Sequence, residues 1–242
     1  MTAQLEISNL NKRFGGLVAV KDVGFELEQG EVVGLLGPNG SGKTTVMNMI
    51  SGALRCDSGR ILMRGTDITR MRPHQIAKQG VARTFQLVRP LPTLTVAENV
   101  LISFAFGRDR HWGSAARDLV EQQLAFVGLE GRGDEQVGNL TYIDQKRMEL
   151  ARALASEPSL LLLDEWLAGL NPSELKIGID LVRHLQGQGI TVLLVEHIME
   201  AVRALCSRCI VMNAGEVIAL GPSAEVLRQP VVIKAYLGDD HA

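Results

Sequence analysis

The chain has 242 residues, which is enough for one large domain or two small ones with a sizeable core. Its 25 Lys and Arg residues nearly balance its 27 Asp and Glu residues, and this balance argues against a dedicated nucleic-acid-binding protein. Apolar residues make up 46% and charged residues 21%, proportions that argue against a disordered, collagen-like or coiled-coil chain.

No stretch approaches the roughly 20 apolar residues that a membrane-spanning helix needs. Residues 1–10 lack the basic and apolar regions of a signal peptide, so we expect the protein to stay in the cytosol. The chain has only three cysteines, two of which, Cys206 and Cys209, form a C-x-x-C pair. We predict two buried thiols at a helix-to-strand junction. A redox or metal role is the alternative, although no second Cys or His pair completes a zinc set.

The first part of the chain is predicted to be rich in strands. Alternating apolar residues predict strands over 5–7 and 18–27 at an exposed sheet margin. A short apolar run over 31–36, a glycine-rich loop and a helical pattern over 43–54 predict a strand–loop–helix unit. Further short strands are predicted over 61–63 and 81–85.

The middle of the chain is predicted to be helical. Thr95 and Glu98 have the spacing of a capping box, which begins a helix. Apolar spacing predicts further helices over 115–127 and 144–154, and the glycines between them predict a loop over 128–138. A helical block therefore separates two β-rich parts.

The last part of the chain alternates strands with helices again. Buried strands are predicted over 160–163 and 190–195, with a helix over 173–185 between them. Strands over 210–212 and 216–220 predict a hairpin. Because continuous aliphatic strands alternate with helices, we expect a parallel sheet that is covered on both faces.

Residues 37–44 read Gly-Pro-Asn-Gly-Ser-Gly-Lys-Thr and fit the phosphate-loop pattern G-x-x-x-x-G-K-[ST]. The backbone N–H groups of such a loop and the N-terminus of the next helix form an anion cradle. In this pattern Lys43 reaches the β- and γ-phosphates and the Thr44 hydroxyl holds Mg²⁺. The predicted strand before the loop and the helix after it favour this interpretation over an ordinary glycine turn.

Two acidic residues follow the leucine run over 160–163. A buried strand would place Asp164 at the carboxyl edge of the sheet, where ligands bind in such folds. We expect Asp164 to hold Mg²⁺ through water and Glu165 to polarise the attacking water. The alternative is a strand that ends in two solvated acids, and the presence of the phosphate loop disfavours it.

The sequence resembles the ATP-binding subunits of ABC transporters over nearly all of its length. Five landmarks occur in the order of that family: Phe14, the phosphate loop over 37–45, Gln86, the signature segment over 140–144, and His197. The order and spacing of the five landmarks make the resemblance specific.

The resemblance implies an α/β fold, a P-loop NTPase of the ABC type. Its parts would be a mostly parallel core sheet with helices on both faces, an antiparallel β subdomain and an inserted helical subdomain. The chain would be a single ABC ATPase domain over 1–242. The nucleotide-binding core and β subdomain would occupy 1–86 and 158–242, and the helical subdomain with the signature would occupy 87–157.

The resemblance also implies site residues. Phe14 would stack on adenine, Gln86 would sense the γ-phosphate and contact a membrane subunit, and His197 would hydrogen-bond the γ-phosphate and position the water. The implied catalytic residues are Glu165, His197, Gln86 and Lys43. The implied ATP-binding residues are Phe14, Val20, Asn39, Gly40, Ser41, Gly42, Lys43, Thr44 and Thr45, joined on a partner's nucleotide by Thr141, Tyr142, Ile143 and Asp144. The implied Mg²⁺ ligands are Thr44, Gln86 and Asp164.

Three of these side chains have structural alternatives. Phe14 could be a buried strand aromatic, Gln86 a solvated strand end, and His197 a helix N-terminal residue that is satisfied locally.

Two further residues depart from the family pattern. Asn171 stands where the family usually has an aspartate that crosses the dimer interface, and it keeps the hydrogen bonds without the charge. Trp166 stands where the family has proline, and we expect it to pack against the helical block or to lie under the dimer interface.

Four segments resemble one branch of the family, the branched-chain amino acid importers: those at 83–86, 95–99, 169–172 and 232–238. The implied function is an ATP-binding and ATP-hydrolysing subunit that powers import of branched-chain or related hydrophobic amino acids through separate membrane subunits. Related ATPases for urea, amides or lipopolysaccharide export are alternatives, as are cytosolic ABC ATPases without a membrane partner.

The resemblance implies partners and a location. Permease subunits would dock near residues 86–94, where Leu87, Val88, Leu91 and Leu94 offer apolar surface. A second ABC ATPase subunit would complete the ATP sites, with a heterodimer favoured and a homodimer possible, and a periplasmic binding protein would act indirectly. The protein would lie peripherally on the cytoplasmic face of the inner membrane, with no nucleic-acid partner.

The signature departs from the usual Leu-Ser-Gly-Gly-Gln. Thr141 keeps a hydroxyl, but Tyr142, Ile143 and Asp144 replace the two glycines and the glutamine. A β-branched side chain reduces the space near the γ-phosphate, and Asp144 brings negative charge toward it unless it points away. Because the family signature acts on the partner's nucleotide, we hypothesise an asymmetric heterodimer in which the site on this chain's own phosphate loop does most of the hydrolysis. The alternative is that backbone N–H groups bind the phosphate and the replacements are tolerated.

Overall fold

Two β-sheets and the helices that pack on them form the fold in the computed structural model, which describes residues 3–85, 87–107 and 111–237. In chain order the elements are β1 (Ala3–Phe14), β2 (Leu17–Glu28), β3 (Val32–Leu36), α1 (Lys43–Ile50), β4 (Ser58–Met63), β5 (Thr66–Asp67), α2 (Pro73–Lys78), β6 (Val81–Arg83), α3 (Val96–Phe106), α4 (Gly113–Phe126), α5 (Tyr142–Leu154), β7 (Leu160–Asp164), α6 (Pro172–Gly187), β8 (Thr191–Val195), α7 (Met199–Leu205), β9 (Arg208–Asn213), β10 (Glu216–Pro222), α8 (Ser223–Val226) and α9 (Pro230–Leu237). Within these residues no helix has the length and apolar character that a bilayer crossing requires.

The larger sheet has six strands in the order β10-β9-β3-β8-β7-β6. All neighbouring pairs are parallel except β9 and β10, which form the antiparallel hairpin predicted from the sequence. The chain between β6 and β7 contains α3, α4 and α5, the predicted helical insertion. The expected fold class, with a mostly parallel core sheet, is therefore confirmed.

Both faces of the large sheet are covered, which explains the continuous leucine run of β7. Every residue of β7 is buried. Leu161 and Leu163 join the apolar core shared with α3–α7, whereas Leu160 and Leu162 join the core formed with α1 and the smaller sheet. Successive strand residues point to opposite faces, so a strand between two cores must be apolar at every position.

The smaller sheet has four strands in the order β2-β1-β4-β5, and its paired strands are antiparallel. Strands β1 and β2 are both 12 residues long, much longer than the alternation over 5–7 predicted for the first of them. The register of β1 shifts between Ile7 and Leu10 and again between Leu10 and Lys12, and Asn9 has φ +51°. These irregularities interrupt the period-two pattern, which is why the sequence reveals only part of the strand.

Several helical predictions need correction. Helix α1 ends at Ile50 rather than at residue 54, because Gly52 has φ +72° and its position leaves little space: a Cβ there would lie 2.7 Å from Ile76 Cδ1. The sequence analysis predicted neither β5 nor the helices α2, α7, α8 and α9, which have between four and eight residues. Elements this short give too few turns for a periodic signal.

The helical block begins as predicted. Thr95 Oγ1 accepts the Glu98 N–H at 3.2 Å, and Glu98 Oε2 accepts the Thr95 N–H at 2.8 Å, completing the capping box. One turn further on, Asn99 is fully buried and reaches back to the preceding segment. Its amide donates to the carbonyls of Leu91 and Thr95 at 3.1 and 2.9 Å, and its Oδ1 accepts the Leu91 N–H at 2.9 Å. Asn99 therefore holds residues 91–95 against α3.

We predict that Asn99→Ala lowers the free energy of unfolding by about 2 to 3 kcal/mol, because the Leu91 N–H and several carbonyls lose their partner in a buried place. Urea unfolding monitored by circular dichroism measures the loss. Asn139→Ala removes an exposed amide and is expected to cost less than about 0.5 kcal/mol. Equal stability of the two variants would contradict this account of the 91–95 segment.

Candidate active site

The loop over residues 37–42 joins β3 to α1, as the sequence predicts. Gly37 has φ +141° and Gly42 has φ +105°. A Cβ on Gly37 would lie 2.1 Å from the carbonyl oxygen of Met212, and a Cβ on Gly42 would lie 2.5 Å from that of Ala19. Only glycine fits at both positions, so the main chain of the loop lies directly against β2 and β9.

The N-terminus of α1 is suited to an anion. Its N-cap residue Gly42 has no side chain, and the first turn contains no acidic residue, so no side chain of the helix caps the N–H groups. The Lys43 ammonium donates to the carbonyls of Gly37 and Pro38 at 2.8 and 2.9 Å. Ser41 Oγ is buried and has no hydrogen-bond partner among the residues that the structure describes. These free donors and the lysine match a bound phosphate chain.

The loop borders a cleft of about 420 Å³. Its lining residues are Phe14, Leu17, Val18, Ala19, Asn39, Gly40, Ser41, Gly42, Lys43, Thr44, Thr45, Glu165 and Ala214. The cleft thus brings together Phe14, the loop residues and Glu165 from three separate parts of the chain. Val20 does not line it, because its side chain is fully buried beneath the loop while Val18 and Ala19 face the cleft.

A second cleft of about 520 Å³ is larger but contains none of the predicted site residues. It lies beside β4 and β5, and two of its charged residues, Arg60 and Asp67, are paired with each other at 2.9 Å. The smaller cleft is lined by the phosphate loop and contains both Lys43 and Glu165. We therefore take the smaller cleft as the candidate active site.

Asp164 ends β7 at the carboxyl edge of the sheet, where the sequence predicted it. Its Oδ2 lies 2.7 Å from Arg83 Nη2, and both side chains are buried. Arg83 also donates to Asn48 Oδ1 at 2.6 Å and Ser51 Oγ at 3.2 Å, both on or next to α1. The sequence analysis did not assign Arg83 a role, and its position in a predicted strand just before Gln86 was the signal that could have identified it. Arg83 fixes the Asp164 carboxylate relative to the helix that follows the phosphate loop.

Glu165 and His197, predicted independently, lie together. His197 Nε2 is 3.0 Å from Glu165 Oε1, and both side chains are partly exposed. Glu165 has φ +50°, an unusual conformation for a residue with a Cβ, and its N–H donates to the Val195 carbonyl at 2.9 Å. Burial lowers the pKa of Lys43, although the nearby carboxylates of Glu165 and Asp164 act in the opposite direction.

The structure describes residues 87–94 of the predicted permease-docking segment. Gln86, predicted as a catalytic and Mg²⁺-binding residue, lies outside the described residues. Leu87 is 75% exposed and Leu91 is 40% exposed, while Val88 and Leu94 are half-buried. The apolar exposure on this segment is therefore concentrated at Leu87 and Leu91.

Comparison with known proteins agrees with this geometry. A family model described as ABC transporter matches residues 20–168. The chain belongs to the ABC transporter family. A second model, described as branched-chain amino acid ATP-binding cassette transporter, matches residues 216–242.

Relatives of similar length support this membership. The High-affinity branched-chain amino acid transport ATP-binding protein LivG of Escherichia coli (strain K12) is 39% identical, over 97% of this chain and 98% of the relative. The BraF protein of Pseudomonas aeruginosa, with the same description, is 37% identical over the same shares.

Solved ABC cassettes share the fold. One in its ADP conformation has a TM-score of 0.88 and 31% identity, over 99% of this chain and 100% of that one. A dimeric cassette in a post-hydrolysis state, bound to ADP and Pi, has a TM-score of 0.82 and 26% identity, over 90% and 98%. Like them, this ABC cassette is a nucleotide-binding domain.

The signature of this ABC cassette is held by a charge cluster. Asp144 Oδ2 lies 2.8 Å from Arg132 and accepts the Thr141 hydroxyl at 2.7 Å, while Oδ1 lies 3.2 Å from Arg147. Thr141 is the N-cap of α5 and accepts the Asp144 N–H. The negative charge of Asp144 is thus balanced by two arginines of its own subunit. None of residues 141–144 lines the cleft beside the phosphate loop.

Trp166 packs between α5 and α6, so of the two placements that the sequence left open the structure shows contact with the helical block. It is 1% exposed, and a Cβ on Gly178 of α6 would lie 3.2 Å from its ring. Its Nε1–H donates to the Lys146 carbonyl at 3.2 Å. In return the buried Lys146 ammonium donates to the carbonyls of Trp166 and Ala168, each at 2.8 Å. The chain that follows Glu165 is therefore fastened to the signature helix α5.

A buried carboxylate supports the same segment. Glu196 accepts the Leu167 N–H at 2.7 Å and stands directly before His197 in the chain. Burial raises the pKa of Glu196 to about 7, and the ammonium of Lys146 acts in the opposite direction. The Glu196 side chain therefore links the backbone beyond Glu165 to the chain segment that carries His197.

The two C-x-x-C thiols are structural, as predicted. Cys206 and Cys209 are free and buried, between the end of α7 and the start of β9. Both sulfur atoms pack against Gly34, and Cys209 Sγ lies 3.1 Å from Ser223 Oγ. Burial raises the pKa of the Cys206 thiol well above its usual range, so thiolate chemistry is disfavoured. Among the described residues no group of three or more His, Cys, Asp or Glu is arranged to hold a metal ion.

We predict that Asp144→Asn lowers the free energy of unfolding by about 1 to 2 kcal/mol near neutral pH, because two charge-assisted contacts are lost. Burial by itself raises the pKa of Asp144, but the hydrogen bonds from Arg132 and Thr141 and the charges nearby hold it below the ordinary 3.8. The stabilisation is therefore fully present at pH values above 3.8, the pKa of an unperturbed Asp. It is lost as the pH falls through the lower pKa of Asp144 in the folded protein.

Urea unfolding of both proteins across acidic pH measures this difference. Asp118→Asn, at an exposed position, is the control and is expected to change stability by less than about 0.5 kcal/mol. A stability gap for Asp144→Asn that stays constant down to the acid limit would contradict the pairing of Asp144 with the arginines.

Proposed function

We propose that this ABC cassette is the ATP-hydrolysing subunit of an importer for branched-chain or related hydrophobic amino acids. One observation carries the catalytic part: Glu165 lines the same cleft as the phosphate loop and lies 3.0 Å from His197. The match of residues 216–242 to the branched-chain cassette family supports the substrate class. The similarity to LivG over nearly the whole of both chains supports it independently.

In the proposed site, backbone N–H groups over 39–45 bind the phosphates and the Lys43 ammonium balances their charge. The exposed ring of Phe14, next to Leu17, offers an apolar wall for the adenine.

Thr44 and Asp164 are the proposed protein ligands of Mg²⁺, with Gln86 a further candidate. The cation would supply charge neutralisation at the phosphate oxygens. Mg²⁺ in phosphate-processing enzymes is usually held by one or two protein oxygen ligands together with the phosphates, which fits the sparse donor set here. Arg83 donates to Asp164 Oδ2 at 2.7 Å and so orients the carboxylate that would meet the cation or its water.

Glu165 is the proposed general base. Its carboxylate would accept a hydrogen bond from the attacking water and draw its proton as the oxygen approaches the γ-phosphate. His197 would hold that carboxylate in place through the 3.0 Å contact. The hydrogen bond from the Glu165 N–H to Val195 fixes the backbone from which the carboxylate projects.

We also propose that a second ABC ATPase subunit completes each ATP site, as the dimeric relative suggests. Residues 141–144 would act on the partner's nucleotide. The pairing of Asp144 with Arg132 and Arg147 removes the electrostatic objection to this signature, whereas the bulk of Ile143 remains. A heterodimer is the favoured arrangement, and the bulk of Ile143 keeps the asymmetric form of it, with most hydrolysis at this chain's own phosphate loop, as one of two alternatives beside a tolerated signature.

The subdomain boundaries belong to the same proposal. Residues 1–86 and 158–242 would bind nucleotide, and residues 87–157 would carry the signature. A permease subunit would dock near residues 86–94 on the cytoplasmic face of the inner membrane, where Leu87 and Leu91 are exposed. A periplasmic binding protein would select the amino acid.

We predict that Glu165→Gln lowers ATP turnover by about 100-fold or more while ATP still binds, because only the proton acceptor is lost. Phosphate release is measured for the chain alone and with its partner ATPase. Glu130→Gln, at an exposed position, is the control and is expected to keep full turnover. Turnover by the chain alone would mean that Ile143 and Asp144 are tolerated in the signature, and turnover only with the partner would favour the heterodimer.

Two results would contradict the proposal: full activity of Glu165→Gln, or ATP binding without turnover in every assembly. The asymmetric arrangement also predicts that the equivalent substitution in the partner ATPase reduces turnover less than Glu165→Gln does.

The substrate class is tested by uptake of labelled leucine in cells that lack the gene. The wild-type gene should restore uptake and the Glu165→Gln gene should not, and unchanged uptake in the deletion strain would contradict the substrate assignment.

A further inference from the structure

The C-terminal helix α9 touches the phosphate loop. The hydroxyl of Tyr236 accepts the backbone N–H of Gly37 at 2.7 Å, although 199 positions separate the two residues. Tyr236 was not among the residues that the sequence analysis assigned to the site. Gly37 is the first residue of the phosphate loop, so this bond joins the end of the described chain to the nucleotide-binding element.

The peptide groups of Gly37 are held on both sides. Its carbonyl accepts the Lys43 ammonium at 2.8 Å, and its N–H donates to Tyr236. In addition, the carbonyl oxygen of Met212 lies so close to Gly37 that a Cβ there would have no space. Gly37 has φ +141°, a conformation that depends on surrounding contacts because the residue itself imposes little restriction. Loss of the hydroxyl would leave a buried N–H without a partner at the start of the loop.

Tyr236 is positioned by its helix. Val232, one turn earlier on α9, is 2% exposed and belongs to the core beside the large sheet. Part of the Tyr236 ring is exposed, but burial of the phenol raises its pKa, the Gly37 N–H acting in the opposite direction. The phenol therefore stays neutral and can accept the Gly37 N–H throughout the physiological pH range.

We infer that Tyr236 is a positioning residue for nucleotide binding, which acts by holding Gly37 and with it the start of the phosphate loop. This inference rests on the proposed function, since it assumes that the loop binds ATP. Residues 216–242 match the branched-chain cassette model and residues 20–168 match the general ABC model. The Tyr236 bond connects these two regions, so the C-terminal segment contributes to the nucleotide site as well as to the core.

The test is equilibrium binding of ATP and of ADP to the full-length chain by isothermal titration calorimetry. For Tyr236→Phe we expect Kd to rise about five- to tenfold for both nucleotides, which corresponds to about 1.0 to 1.4 kcal/mol. The change removes one oxygen atom and keeps the ring, so the variant should fold, and its Tm is measured first. In turnover assays of the active assembly, KM for ATP should rise by a similar factor while kcat changes less than about twofold.

Two variants on the same helix are the controls. Val232→Ala removes buried methyl groups and should lower Tm, and Ile233→Ala changes an exposed side chain. Both keep the hydroxyl, so both should bind ATP with Kd within about twofold of the wild-type value. A merely structural role of Tyr236 would make Val232→Ala and Tyr236→Phe lose affinity in proportion to their loss of Tm.

The outcomes separate the two proposals. If the wild-type chain binds neither ATP nor ADP, the proposed function fails. If the wild-type chain binds and Tyr236→Phe binds equally well, the role of Tyr236 is overturned while the proposed function stands. Equal losses of affinity in Val232→Ala and Tyr236→Phe would also overturn it, and a loss confined to Tyr236→Phe would support it.

Discussion

The shortage of space around the phosphate loop is the constraint on which the rest of the structure depends. Added Cβ atoms on Gly37 and Gly42 would overlap carbonyl oxygens of Met212 and Ala19. The loop is therefore positioned by direct backbone contact with strands from both sheets, and its N–H groups are left for a ligand. The same contacts bring β9 close to the loop, and with it the C-terminal helix that supplies Tyr236.

The charges of the candidate site are arranged in pairs around this loop. Asp164 is fixed by Arg83, and Glu165 lies against His197. Removing a charge from water is costly unless a partner compensates for it, so the buried Arg83 fixes where the Asp164 carboxylate can lie, and the contact with His197 orients the partly exposed Glu165. The pairs also divide the acidic residues by role, since Asp164 is buried with an arginine while Glu165 faces the cleft.

The segment after Glu165 connects the active site to the signature helix. Trp166 and Lys146 exchange hydrogen bonds, so a residue that departs from the family's proline makes a specific contact with α5. In the proposed dimer α5 would act on the partner's nucleotide. The buried hydrogen bonds between Trp166 and Lys146 would then couple a shift of the backbone beyond Glu165 to the position of α5 at the other ATP site.

On its own, the sequence establishes the parts that depend on short windows of residues: the glycine loop, the leucine run of β7, the capping box at Thr95 and the final hairpin. It misses the bulged part of β1 and the short helices, because their periodic signals are interrupted or too brief. The tertiary structure alone decides the pairing of Arg83 with Asp164 across 81 positions and of Gly37 with Tyr236 across 199. Turn chemistry and side-chain periodicity are local properties of the chain, whereas these contacts exist only after folding has brought distant strand and helix ends to the same edge of the sheet.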